Sequence, residues 1–331
     1  MKMFRKLFGD GKGEAQTAVR PDTEARKSIT LVSHIEGLPH AQIGSLAFSP
    51  DERRLAIASS NVQIFDTVTS NRVATLETDK RPMSLAFRSY GNHLLVGLSS
   101  GAVEIWLTDT WQKESTIQAS SFALNCLEID CHGTRFAIPA GYEVQIWDCI
   151  ARSIVQTFGS HGPGPYEKFY PSQGVRSILF DVSGDILTSI GSDGTMLRWN
   201  TTTGERVASL ASPQGRPFVS ACETTRGLIA IADSLILPIA MNDSPLANRL
   251  ENKRVRKTVS STYGDTFVLS IDTPNQNQTI LEVWDANILA RIASVSISSA
   301  KLGPILIALS GSGKYLAYSD VDSVWILEIL R

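Results

Sequence analysis

The chain has 331 residues, 43% hydrophobic and 19% charged, with a formal net charge of −2. This composition supplies apolar mass for a large core, and the near-neutral charge balance does not favour a nucleic-acid partner. Four cysteines, at 126, 131, 149 and 222, match no zinc-ligand spacing, and neither a membrane-spanning apolar run nor a secretory signal region is legible, which points to a cytoplasmic setting.

Residues 1–28 read as a flexible leader, polar and broken by Gly9, Gly11, Gly13 and Pro21. Within it, Met3, Phe4, Leu7 and Phe8 lie at helical spacing opposite Lys2, Arg5 and Lys6. That pattern fits a docking peptide or a membrane-surface helix, although eight residues are too few for a stable helix in isolation. From Ile29 onward the alternation has period two, and residues 29–331 read as one all-β domain.

One segment recurs along that domain. Val62-Gln63-Ile64-Phe65-Asp66 returns as Val103-Glu104-Ile105-Trp106, as Val144-Gln145-Ile146-Trp147-Asp148 and as Leu281-Glu282-Val283-Trp284-Asp285. Phe65, Trp106 and Trp147 are each 41 residues apart. A turn followed by an apolar strand repeats in step: Pro50-Asp51 in the first unit, then Gly91, Gly133, Gly184, Gly227, Gly264 and Gly313. Seven units of about 43 residues account for residues 29–331. Each unit predicts an inner strand, a turn, a second strand, an aromatic-ended third strand and a variable outer strand.

Phe48-Ser49-Pro50-Asp51, Ser192-Asp193-Gly194, Trp147-Asp148, Trp284-Asp285, Phe65-Asp66 and Trp199-Asn200 together resemble the WD-repeat family of β-propellers. The resemblance covers nearly all of residues 29–331 and implies a seven-bladed β-propeller of four-stranded antiparallel blades. It also implies that Trp106, Trp147, Trp199 and Trp284 pack between blades. Three departures stand out. The Gly-His pair that opens many WD repeats is missing, which predicts that the family's buried His-Asp-Ser/Trp hydrogen-bond network is not assembled in its usual form. In the fifth unit Met241-Asn242 stands where Trp-Asp is expected. In the last unit no residues follow Val324-Trp325-Ile326-Leu327 to form an outer strand, so the strand at about 29–35 is expected to complete that blade and close the ring.

Two places where the period fails carry the candidate sites. The interval from Trp147 to Trp199 is 52 residues, about ten longer than its neighbours, because of a Pro/Gly-rich insertion between Gly159 and Gly174. Its aromatics Tyr166, Phe169 and Tyr170 are candidate partner-binding residues, since aromatics dominate interface hot spots; the alternative is that they anchor the loop. At the junction of the fifth and sixth units, Arg249, Lys253, Arg254, Arg256 and Lys257 form a basic run suited to anionic lipid headgroups, or simply to keeping an edge strand soluble. The polar run Asp272–Thr279 reads as an exposed loop.

The five histidines have no metal-ligand spacing, and no phosphate loop or nucleophile motif is present. The sequence therefore predicts a non-catalytic protein–protein interaction scaffold with no cofactor or metal. It would be a monomeric ring within a larger complex, binding a protein or peptide partner. The alternatives are a peripheral adaptor on an anionic membrane and an enzyme with carboxylates converging in the central channel.

Overall fold

Strands with apolar residues on both faces need cover on both sides. In the computed structural model that cover is supplied by neighbouring sheets. The structure describes residues 28–38, 43–89, 92–159, 161–163, 174–212, 218–224, 227–232, 235–239, 248–249, 254–262, 266–273, 278–288, 290–298, 305–320 and 323–330. Tyr166, Phe169, Tyr170, Lys253, the first 27 residues and Met241 lie outside the described residues, as does the side chain of Arg249.

The described strands form seven four-stranded antiparallel sheets, and there is no helix among the described residues. The fold is a β-propeller of four-stranded blades. In chain order the inner strands are Ser45–Phe48, Pro82–Phe87, Glu128–Ile129, Val175–Phe180, Phe218–Thr224, Arg254–Ser260 and Ile307–Leu309. Each inner strand contacts the inner strand of the next sheet, and the seventh contacts the first, so together they surround a central channel.

The seventh sheet takes its outer strand from the other end of the chain. Ile29–Ile35 pairs antiparallel with Val324–Ile329, from Ile29 opposite Ile329 to Ile35 opposite Val324, with a bulge between Leu31 and Ser33. The first and seventh sheets are also stitched by polar contacts. Glu52, at φ 61° in the first-sheet turn, accepts from the Ser312 backbone N–H at 2.7 Å and from its hydroxyl at 2.9 Å. Ser33 donates to the Thr67 carbonyl at 2.8 Å.

Each sheet junction holds its own apolar core. Val62, Ile64 and Leu76 of the first sheet pack with Leu94, Val96 and Trp106 of the second. Val144, Ile146 and Phe158 of the third pack with Leu187, Leu197 and Trp199 of the fourth. Ile35, Ala317 and Ile326 meet Leu55, Ile57 and Phe65 where the ring closes. The recurrent aromatic thus leans on the preceding sheet, and all four expected packing tryptophans are buried. The polar residue inside the repeat has a specific task. Two positions before each tryptophan, it accepts the indole N–H: Glu104 from Trp106 at 3.0 Å, Gln145 from Trp147 at 3.3 Å and Glu282 from Trp284 at 3.2 Å. A buried indole N–H without a partner would carry a desolvation penalty, so the alternation of Val, polar and Ile before Trp is a hydrogen-bonding rule as well as a packing one.

Register corrects two expectations. In the fifth sheet the third strand is Leu235–Ile239, and Leu228 pairs with Ile239 just as Leu187 pairs with Trp199 in the fourth. Ile239, and not Met241, holds the tryptophan position. In the sixth sheet Asp272 pairs with Thr279 and Thr273 with Gln278, so both ends of the expected polar loop belong to the ladder, and Thr279 is buried. Thr273 and Thr279 still use their polar groups, bonding the Gln278 carbonyl and the Asp272 carboxylate.

Candidate functional site

Although no Gly-His pair is present, the fourth sheet assembles a buried Trp–Ser–His–Asp network. Trp199 donates its indole N–H to the Ser189 hydroxyl at 3.2 Å, and Ser189 lies 2.8 Å from His161 Nε2. His161 Nδ1 lies 3.3 Å from Asp193 Oδ1 and 3.0 Å from the Thr195 hydroxyl. With Ser189 receiving the indole proton, its own proton goes to His161 Nε2, which leaves Nδ1–H facing the Asp193 carboxylate. Burial holds the imidazole below its ordinary pKa against the pull of Asp193, so the ring is neutral at neutral pH. Burial works against the Asp193 carboxylate too, but bonds from Thr195 and from the Gly162 N–H outweigh it and lower its pKa. Gly191 makes the room: a Cβ there would stand 2.2 Å from His161 Nδ1. Sequence reasoning missed this because it sought a Gly-His pair, whereas the histidine arrives in Ser160-His161-Gly162 within the insertion.

The same contacts fix the two ends of the insertion. His161 N–H donates to the Tyr142 carbonyl at 2.9 Å, and Gly162 N–H to Asp193 Oδ2 at 2.9 Å. At the returning end Ser192 N–H donates to the Gly174 carbonyl at 2.7 Å, and Val175 N–H to Gly141 at 3.2 Å. A Cβ on Gly174 would fall 2.0 Å from the Tyr142 ring, so only glycine lets the chain pass there without displacing it. Departure and return are both tied to the turns at Gly141–Tyr142 and Ser192–Asp193. The loop bearing Tyr166, Phe169 and Tyr170 therefore has a rigid base, while the three aromatics themselves lie outside the described residues.

The basic run has a different fate from a single patch. Arg254–Ser260 is the inner strand of the sixth sheet and so one of its two edges, on the channel side. Arg254 is exposed, Val255 is buried, and the exposed Arg256 pairs with Asp272. Lys257 faces the water of the channel yet lies deep within the ring.

That channel encloses a cavity of about 440 Å³. Register shows how it is built. Ser45, Ser84, Ser177 and Ser220 pair with Ala58, Gly97, Ile190 and Ile231 at equivalent positions of their sheets, and Lys257 holds that position in the sixth, opposite Ser270. Two of these serines are used up between sheets: Ser84 donates to the Leu124 carbonyl at 2.7 Å, and Ser220 accepts from the Thr258 N–H at 3.2 Å. Two residues further along the inner strands, at the level of Ala47, Ala86 and Ala308, the third sheet places Glu128.

The ionisable groups of the channel wall are strongly perturbed. Burial pushes the Glu128 carboxyl up to about 7, opposed by Lys257 across the ring. Burial lowers the Lys257 ammonium, opposed by Cys126 and Glu128. The Cys126 and Cys222 thiols are pushed up to about 12 by burial and stay protonated. Glu223 is likewise raised to about 7 by burial, although Arg198 lies 2.9 Å away. Arg198 is therefore engaged, and among the described lining residues Lys257 is the one cation. No spacing rule brings residues 128, 223 and 257 together, since each comes from a different sheet; the closed ring does. Among the described residues no group of three or more His, Cys, Asp or Glu side chains is arranged to hold a metal ion.

No protein-family model matches this chain, and no curated protein matches it.

Proposed function

We propose that the protein is a non-catalytic protein–protein interaction scaffold of the WD-repeat type, working in the cytoplasm as a monomeric ring within a larger complex. In this reading the seven sheets are the blades of one complete propeller, and residues 29–35 close it. The observation that carries the proposal is the insertion base. Both ends of an aromatic-bearing loop are clamped by the His161–Asp193 and Gly174–Ser192 contacts. Pinning the ends of a recognition loop lowers the entropy lost when it meets a partner. The Trp199–Ser189–His161–Asp193 network supports the family resemblance, because it joins side chains that the resemblance marks for that use.

Affinity purification tests the reading. Replacing Tyr166, Phe169 and Tyr170 together by Ser is expected to lose the principal partner while the circular-dichroism spectrum and melting midpoint stay unchanged. An identical partner list from the folded variant overturns the placement of the site. Flotation on anionic vesicles at two salt concentrations tests the membrane alternative, which rests on Arg249, Lys253, Arg254 and Arg256, because Lys257 lines the channel. Salt-independent absence from the vesicle fraction removes it.

A further inference from the structure

One three-residue contact recurs at the junctions between sheets. Two paired residues, on the second and third strands of one sheet, meet a residue near the end of the next inner strand. Ala56 pairs with Ile64, and both share a core with Phe87 of the next sheet. Ala137 pairs with Ile146, and both share a core with Phe180. The equivalent register positions are also apolar where the second sheet meets the third, the sixth meets the seventh and the seventh meets the first.

The junction of the fourth and fifth sheets departs from this at all three positions. Thr188 pairs with Arg198, and Glu223 meets them from the fifth sheet, opposite Leu228 just as Phe180 is opposite Leu187. The Arg198 guanidinium donates to Glu223 Oε1 at 2.9 Å, and the Thr188 hydroxyl donates to the same oxygen at 3.5 Å. Glu223 is buried, and the Arg198 side chain is only 13% exposed. Arg198 Nε is buried without a hydrogen-bond partner among the described residues. The third strand of the fifth sheet brings no tryptophan to this junction, since Ile239 holds that position.

An ion pair therefore stands where other junctions have an apolar contact. Taking two charges out of water offsets much or all of their attraction, and here burial raises the Glu223 carboxyl despite the guanidinium beside it. Glu223 also lines the central channel, so water has a short route to the pair. Parting these two sheets returns a carboxylate, a guanidinium and the unpaired Nε to water, which lowers the cost of opening. Parting Ala137 and Ile146 from Phe180 exposes apolar surface with no such return.

We propose that the ring has a built-in seam between the fourth and fifth sheets, latched by Arg198 and Glu223, where it opens locally while the other junctions stay closed. Opening there widens the channel on one side. It also frees one flank of the fourth sheet, which carries Ser192 and Asp193 at the base of the insertion.

Thiol labelling of the full chain under native conditions, read site by site by mass spectrometry, tests the seam. Ala230→Cys places a thiol in the core of this junction, Ala137→Cys in the core between the third and fourth sheets, and Ala317→Cys in the core where the ring closes. All three alanines are fully buried, so labelling reports opening. The thiol at 230 is expected to react roughly tenfold faster, or more, than those at 137 and 317. Combining Ala230→Cys with Thr188→Ala, Arg198→Ile and Glu223→Phe, the residue types of the junction before it, should slow labelling to the rate of the other two sites and raise the melting midpoint. Replacing Tyr166, Phe169 and Tyr170 by Ser should leave the labelling rate unchanged, so failure of the scaffold reading is distinguishable from failure of the seam. Equal labelling of the three sites overturns the proposal, as does undiminished labelling at 230 after the apolar replacement. Should the apolar replacement fail to fold, the comparison of the three cysteine sites still decides.

Discussion

The junctions between sheets and the wall of the channel are built from the same strands but solve opposite problems. At the junctions the buried indoles are matched: Trp106 by Glu104, Trp284 by Glu282, and Trp199 by Ser189, which in turn meets His161. In the channel, Glu128 and Lys257 are left apart, with carboxyl and ammonium both displaced from their ordinary titration ranges by burial. The contrast teaches where to look for function. Matched polar groups hold the ring together, whereas Lys257 and Glu128 are left to the water of the channel.

The largest effect should come from breaking the closing junction. Removing residues 29–36 strips the outer strand from the seventh sheet and Ile35 from the core at the first. The melting midpoint should fall further than for any single substitution, whereas removal of residues 1–20 should leave it in place. Equal midpoints for the two truncations would break the closure argument. Next comes Trp199→Ala, which empties the core between the third and fourth sheets and should cost about 3–5 kcal/mol in denaturant unfolding.

His161→Ala should cost less, about 1–3 kcal/mol, by leaving Ser189 and Asp193 without their buried partner. It also carries a pH signature. The folded-state pKa of His161 lies below its ordinary value of 6.5, so the unfolded chain binds more protons in the window just under 6.5. Stability from this group is therefore present above 6.5 and declines as the pH falls below it, and the variant should lose that decline.

The smallest effect should have the opposite sign. The Glu128 carboxyl is raised from 4.5 to about 7, so between those values the folded protein holds more protons than the unfolded chain and stability falls as pH rises. Glu128→Gln should then melt slightly higher than the natural protein near pH 8, with the difference gone near pH 4.5. A variant that melts lower at both pH values would erase the distinction between junction and channel.

Much of the ring was legible in the sequence because it depends on periodic patterns. The third strands, the turns at Gly133, Gly184 and Gly313 with positive φ, and the closing strand all follow from alternation and spacing. The fifth sheet was read two residues out of place because it has no aromatic marker; only the pairing of Leu228 with Ile239 sets its register. His161 escaped notice because its signal was a Gly-His pair that this chain does not use. The basic run Arg254-Val255-Arg256-Lys257 was legible as charge but not as position, since adjacent residues on an inner strand separate into buried, exposed and channel-facing environments.

That these residues form strands in repeating units is written in their order along the chain, because alternation and turn chemistry act over a few neighbouring residues. That Cys126, Glu128, Glu223 and Lys257 share one channel follows from closure of the ring, since they come from three different sheets and meet only there. Their titration is likewise a property of the closed ring: removal from bulk water and attraction across the channel act through space and leave no trace in the order of residues along the chain.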